Sequence, residues 1–90
     1  MTQNESESPL QFPCQFPIKA MGLAEHDLEI IIFDIVRQHA PDITQDDFNK
    51  RESTNGKYIS VTVTVNAQSR DQLDAIYHAL TAHEHIIMAL

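Results

Sequence analysis

Ninety residues carry thirteen acidic side chains against six basic ones, a formal charge of -7. A chain of this length makes one domain at most and buries roughly 60–65% of its unfolded surface, so it folds alone with a small margin. The negative balance repels phosphate backbones and anionic bilayers, so neither nucleic acid nor membrane is an expected partner, although Lys50, Arg51 and Lys57 are close enough in sequence to make a local basic site.

Residues 1–11 are polar and acidic, with Ser6, Ser8 and Pro9, and are expected to form a disordered tail ahead of one domain spanning 12–90. The repeated dipeptides Phe12-Pro13 and Phe16-Pro17 follow. Proline cannot donate to a ladder, so the first strand is expected to start near Phe16. Phe16, Ile18 and Ala20 then face a core, Lys19 and Met21 face the other way, and Gly22 ends the strand in a tight turn.

A helix is predicted from Glu25 to His39. Leu28, Ile31, Ile32, Ile35 and Val36 fall on one apolar stripe. Glu25, Asp27 and Glu29 suit the positive end of the helix dipole, and Pro41 stops the helix. Ile30 points away from the stripe and Phe33 lies on its flank. They read as scattered surface apolars or as a partner-facing patch.

The second strand lies within Asp46 to Ser53. It is charged and poor in β-formers, as an edge strand protected from aggregation would be. Asn55-Gly56 is a strong hairpin signal. A two-residue turn pairs Phe48 with Val63 facing inward, whereas a three-residue loop flips every side chain. Burial of Phe48 favours the first. The stretch from Lys57 to Ala67 has the strongest pattern in the chain. Ile59, Val61, Val63 and Val65 alternate with Ser60, Thr62, Thr64 and Asn66, which makes a central strand with one apolar face. Ser69-Arg70-Asp71-Gln72 is a capping box. It opens a second helix with a stripe of Leu73, Ile76, Tyr77 and Leu80, fading near His83. His85 to Leu90 forms the last strand.

The order β-α-β-β-α-β implies an α+β, ferredoxin-like sandwich. Its antiparallel four-stranded sheet has the order 4-1-3-2, with both helices on one face. Lys19, Met21, Ser60, Thr62 and Thr64 then share the open face.

Such scaffolds carry many functions, so the side chains must decide. Reading RNA on the open face needs aromatic residues, and Ser60, Thr62 and Thr64 stand there instead. The Met21-Gly22-Leu23-Ala24 loop has neither the paired cysteines of a copper carrier nor an arginine-bearing anion cradle. His83 and His85 reach one metal only from an extended turn, while helix-end histidines are favoured by the dipole alone, so no metal is assigned. Cys14 is the only cysteine. It has no basic neighbour in sequence to activate it and no partner for a disulfide. No catalytic grouping or phosphate loop occurs, so the chain is expected not to be an enzyme and to need no cofactor. The free thiol and the absence of a secretory leader lead us to expect a cytoplasmic protein. No apolar run approaches the ~18 residues of a membrane span.

Phe12-Pro13, Phe16 and Lys19-Ala20-Met21-Gly22 together resemble the opening of the YbeD-like family of small bacterial proteins. The resemblance continues through His39-Ala40-Pro41, the Ser53, Gly56, Tyr58, Ser60-Val61 hairpin, Ile76-Tyr77 with Leu80, and Met88-Ala89-Leu90. It implies an ACT-like version of the ferredoxin fold, similar to the regulatory domain of phosphoglycerate dehydrogenase. Some members lie beside lipoate-synthesis genes, which implies a metabolic context. ACT domains bind amino acids or similar effectors where the first strand enters the first helix, often across a dimer, and Gly22 occupies that place.

The resulting expectation is a non-catalytic regulatory or small-ligand-binding domain. Its effector would sit near Lys19, Met21, Gly22, Leu23 and Ala24. The alternative is a protein-interaction adaptor, resting on Ile30 and Phe33, the polar central sheet face and the edge strand. A homodimer, a small effector and a protein partner all stay open, with any dimer expected at an edge strand or helix flank rather than on the open sheet face.

Overall fold

The computed structural model describes residues 11–90, so all but the last residue of the expected tail lies outside the described residues. The period-two pattern of β3 (Tyr58–Ala67) sets the layers. Ile59, Val61, Val63, Val65 and Ala67 are buried, while Ser60, Thr62 and Thr64 are half-buried on the opposite face. β1 (Cys14–Leu23) runs antiparallel to β3 along its whole length, β2 (Phe48–Glu52) flanks β3, and β4 (Met88–Ala89) flanks β1. The sheet order is β2-β3-β1-β4 with every neighbouring pair antiparallel, which is the expected ferredoxin-like topology.

Two helices cover the apolar face. α1 (Leu28–Arg37) buries Leu28, Ile32 and Val36, and α2 (Arg70–Thr81) buries Leu73, Ile76 and Leu80. These side chains join Ile18, Ala20 and the β3 valines in one core. Each fully buried Val, Leu or Ile contributes about 1.5–3 kcal/mol, so the core carries the fold. Ser69 caps α2 by accepting the Gln72 N–H at 3.1 Å. The Gln72 side-chain amide donates to the His39 carbonyl at 2.7 Å, tying the start of α2 to the end of α1.

Several boundaries differ from the sequence reading. β1 begins at Cys14, not near Phe16, and contains Pro17. Lys19 and Leu90 exchange backbone hydrogen bonds at 3.0 and 2.7 Å. By alternation the Pro17 nitrogen points to the same side, beyond the end of β4, so its missing N–H costs no ladder bond. Gly22 lies inside β1 and does not end it. The Ala24 N–H still bonds the Lys57 carbonyl at 2.8 Å, so the chain leaves the ladder late. α1 accordingly starts at Leu28, with Glu25 ahead of it and Asp27 at its cap. Asp46 and Asp47 fall in a 3-10 turn (Gln45–Asp47), where the Asp47 carboxylate accepts the Thr44 N–H at 2.8 Å.

The β2–β3 register pairs Phe48 with Val63, as inward burial of Phe48 requires. Ser53 N–H bonds the Tyr58 carbonyl at 2.9 Å, so four residues link the strands. Only Gly56 takes the left-handed conformation, with φ of 75°. The connection is therefore not the mirror-image two-residue turn, which needs positive φ at both central residues.

Candidate functional site

α1 packs its stripe onto the sheet and leaves Ile30 on its outer side, 57% exposed. One turn on, Phe33 leans over the edge of the sheet. Its ring lies 5.5 Å from that of Phe48, tilted by 44°. The Arg37 guanidinium stands 5.8 Å from the Phe33 centroid, in cation–π range. Ile30, Phe33 and Phe48, with Glu29 and Gln45, line a cleft of about 160 Å³ between α1 and β2. Lys50 Nζ and Glu29 Oε1 pair across its rim at 3.4 Å. Both side chains are well solvated, so the pair contributes at most about 1 kcal/mol.

The cleft opens beside a free strand edge. β2 has β3 on one side and no strand on the other. The Ser53–Tyr58 hydrogen bond fixes which backbone groups face β3. By alternation, the N–H and C=O groups of Lys50 and Glu52 point outward, while the outward Phe48 N–H is already taken by the Gln45 carbonyl. Free backbone donors and acceptors thus lie next to an apolar recess. That pairing suits an extended peptide, which gains main-chain bonds from the edge and side-chain selectivity from the recess.

The residues expected to hold an effector are not brought to one surface. Lys19 and Met21 lie on the open face, paired with Thr62 and Ser60. Gly22 is buried on the other side, where a Cβ would meet the His85 carbonyl oxygen and Leu28. Leu23 and Ala24 are half-buried. Ile30 and Phe33, in contrast, are brought together. Phe48 and Gln45 complete their cleft, and sequence reasoning did not link them to it. The inward register of Phe48 was the signal available.

The histidines meet at the loop before β4. The His26 and His85 rings stack at 3.6 Å with a 16° tilt, and the His83 ring lies 5.4 Å from His85. His83 Nδ1 accepts the His85 backbone N–H at 3.1 Å, which occupies one of its two ligand atoms. Among the described residues, no three His, Cys, Asp or Glu side chains are placed to hold a metal. None of the described helices is long and apolar enough to cross a membrane.

Topology and side-chain layering define a small α+β domain of ferredoxin-like type. The chain belongs to the family described as "Protein of unknown function (DUF493)", whose model matches residues 7–90, the YbeD-like family that the sequence motifs resemble. It is 44% identical over 87 residues to a UPF0250 protein of Chromobacterium violaceum, covering 97% of this chain and 98% of that one. A UPF0250 protein of Neisseria gonorrhoeae is 41% identical over 91 residues, with both chains fully covered. Among solved structures, the solution structure of protein HP0495 from H. pylori matches with a TM-score of 0.69 at 14% identity. That match covers 100% of this chain and 98% of the other, and it shows a shared fold.

Proposed function

We propose that this protein is a non-enzymatic interaction domain that binds an extended segment of a partner protein along β2. The carrying observation is the cleft of Ile30, Phe33 and Phe48 beside an unpaired strand edge. The segment adds as a fifth strand against Lys50 and Glu52, and one of its apolar side chains enters the cleft. About 160 Å³ admits one side chain. It falls below the ~300–1,000 Å³ of pockets that enclose a small molecule, which favours a peptide over an effector at this place. A regulatory role fits the same arrangement, since strand addition reports on the partner without chemistry.

A photo-crosslinking amino acid in place of Ile30 tests this in the native host, with one in place of the distant Gln68 as control. Position 30 is expected to trap a discrete partner that position 68 does not. Lys50→Pro removes an outward N–H without touching the β2–β3 ladder, and is expected to abolish that crosslink while leaving the circular dichroism spectrum intact. A crosslink that survives Lys50→Pro in a folded protein overturns strand addition.

A further inference from the structure

Four of the five large apolar side chains exposed among the described residues gather far from the cleft, at one end of the open sheet face. They are Tyr58, Ile87, Met88 and Leu90, with Ile87 59% and Leu90 62% exposed. The register brings them together around Met21. Met21 pairs with Ser60 and with Met88, Leu23 pairs with Tyr58, and the Ile87 N–H bonds the Met21 carbonyl at 2.8 Å. Met21, Tyr58, Ile87 and Met88 line a shared hollow.

Three cations border this patch. Lys19 stands opposite Thr62, and Arg51 stands opposite Ser60. The Lys57 ammonium sits 5.4 Å from the Tyr58 centroid. Among the described residues none of these three forms an ion pair, whereas Lys50 does. The strand positions on this face contain no aspartate or glutamate, although the chain has thirteen acidic residues. Asp46 and Asp47 lie toward the opposite end, with Gln15 and Thr64. Glu52 lines the hollow shared by Met21, Arg51 and Tyr58 at the sheet edge, so three cations and one carboxylate border this apolar surface, and positive charge prevails there in a protein that is acidic as a whole.

We infer that this end of the open sheet face docks an acidic segment of a partner protein that carries apolar side chains among its carboxylates. Charge complementarity selects that occupant. A second copy meeting this face in register would set Lys19, Arg51 and Lys57 against their own counterparts. Turned end for end, it would lay the apolar patch on Gln15, Thr64 and Asn66. Three cations in a chain of charge -7 are too few to hold a phosphate backbone or an anionic bilayer. An acidic peptide needs only these few contacts, and the apolar patch supplies the rest. This surface is separate from the Ile30 cleft, so either reading can fail without the other.

Amide NMR of the isotope-labelled full chain tests this docking. The probes are a synthetic peptide of alternating glutamate and leucine, its glutamine–leucine counterpart, and vesicles of phosphatidylglycerol. The glutamate peptide is expected to shift the amides of Lys19, Met21, Ser60 and Met88 and to bind at least tenfold tighter than the glutamine peptide. Raising the salt should narrow that ratio. The double variant Lys19→Glu, Arg51→Glu changes only exposed side chains and is expected to lose the ratio while keeping its dispersed spectrum. Equal affinity for the two peptides, no shifts at these residues, or shifts at the Ile30 cleft instead overturns the inference. Preferential binding to the vesicles also overturns it, because the occupant is then a membrane.

Discussion

Gly22 lies directly against the carbonyl oxygen of His85. A Cβ at this position would collide with that oxygen and come within 2.7 Å of Leu28 Cδ1. Both obstacles belong to packed backbone or core, so neither can move aside cheaply. Gly22→Ala is expected to cost about 1–3 kcal/mol, as overpacking does, and to lower the urea midpoint without changing the slope. Gly56→Ala is the contrast, since Gly56 has φ of +75° and open space around it. It should cost about 1–2 kcal/mol, through backbone strain alone. An unchanged midpoint for Gly22→Ala would show that β1 and the His85 loop separate easily.

The same glycine shows where the sequence is legible and where it is not. β3 could be read directly, because Ile59, Val61, Val63 and Val65 alternate with small polar residues and period two has one physical meaning. The Phe48–Val63 register was one of two the sequence left open, and the structure has the one preferred for burying Phe48. Gly22 reads as a turn because glycine ends strands, but its reason is a carbonyl far along the chain that no local pattern announces. The start of α1 is obscured in the same way, by the Ala24–Lys57 hydrogen bond that holds the chain in the ladder. Ile30 and Phe33 stood out as off-stripe apolars. The cleft they share with Phe48 crosses elements, and periodicity within one helix cannot show it.

Ile30 and Ile32 are neighbours on α1 with opposite environments, 57% and 0% exposed. Ile32→Ala removes buried methyl groups from the core and should cost about 2–5 kcal/mol. Ile30→Asp alters a solvated side chain and should stay within about 0.5 kcal/mol of the parent. If thermal melts place Ile30→Asp as low as Ile32→Ala, Ile30 is a core prop and the cleft is not an open surface.

Tyr77 sits half-buried on α2, and burial raises its phenol pKa above the ordinary value near 10.0. Burial disfavours the phenolate, so the folded state holds this proton more tightly than the unfolded chain. The contribution is fully present below about pH 10 and is lost as pH climbs through the raised folded value. Urea midpoints are therefore expected to fall more steeply above pH 10 in the parent than in Tyr77→Phe. All other groups are the same in both proteins and cancel in the comparison. Parallel midpoint curves for the two proteins would show that Tyr77 ionises equally well folded and unfolded.

Phe33 and Phe48 form the floor of the cleft, and their rings join α1 to β2 across it. At 5.5 Å and 44° the pair is within the range of tilted aromatic contacts. Such contacts add about 0.5–1.5 kcal/mol beyond the area they bury. A double-mutant cycle of Phe33→Leu and Phe48→Leu isolates that pairwise part, because leucine keeps most of the apolar bulk. The coupling energy should fall in that range and be insensitive to salt. The Glu29–Lys50 pair on the same rim should give less, and its share should fade as salt is added. A Phe33–Phe48 coupling near zero would mean that β2 is held by its ladder with β3 alone. The cleft floor would then be free to part when a segment enters.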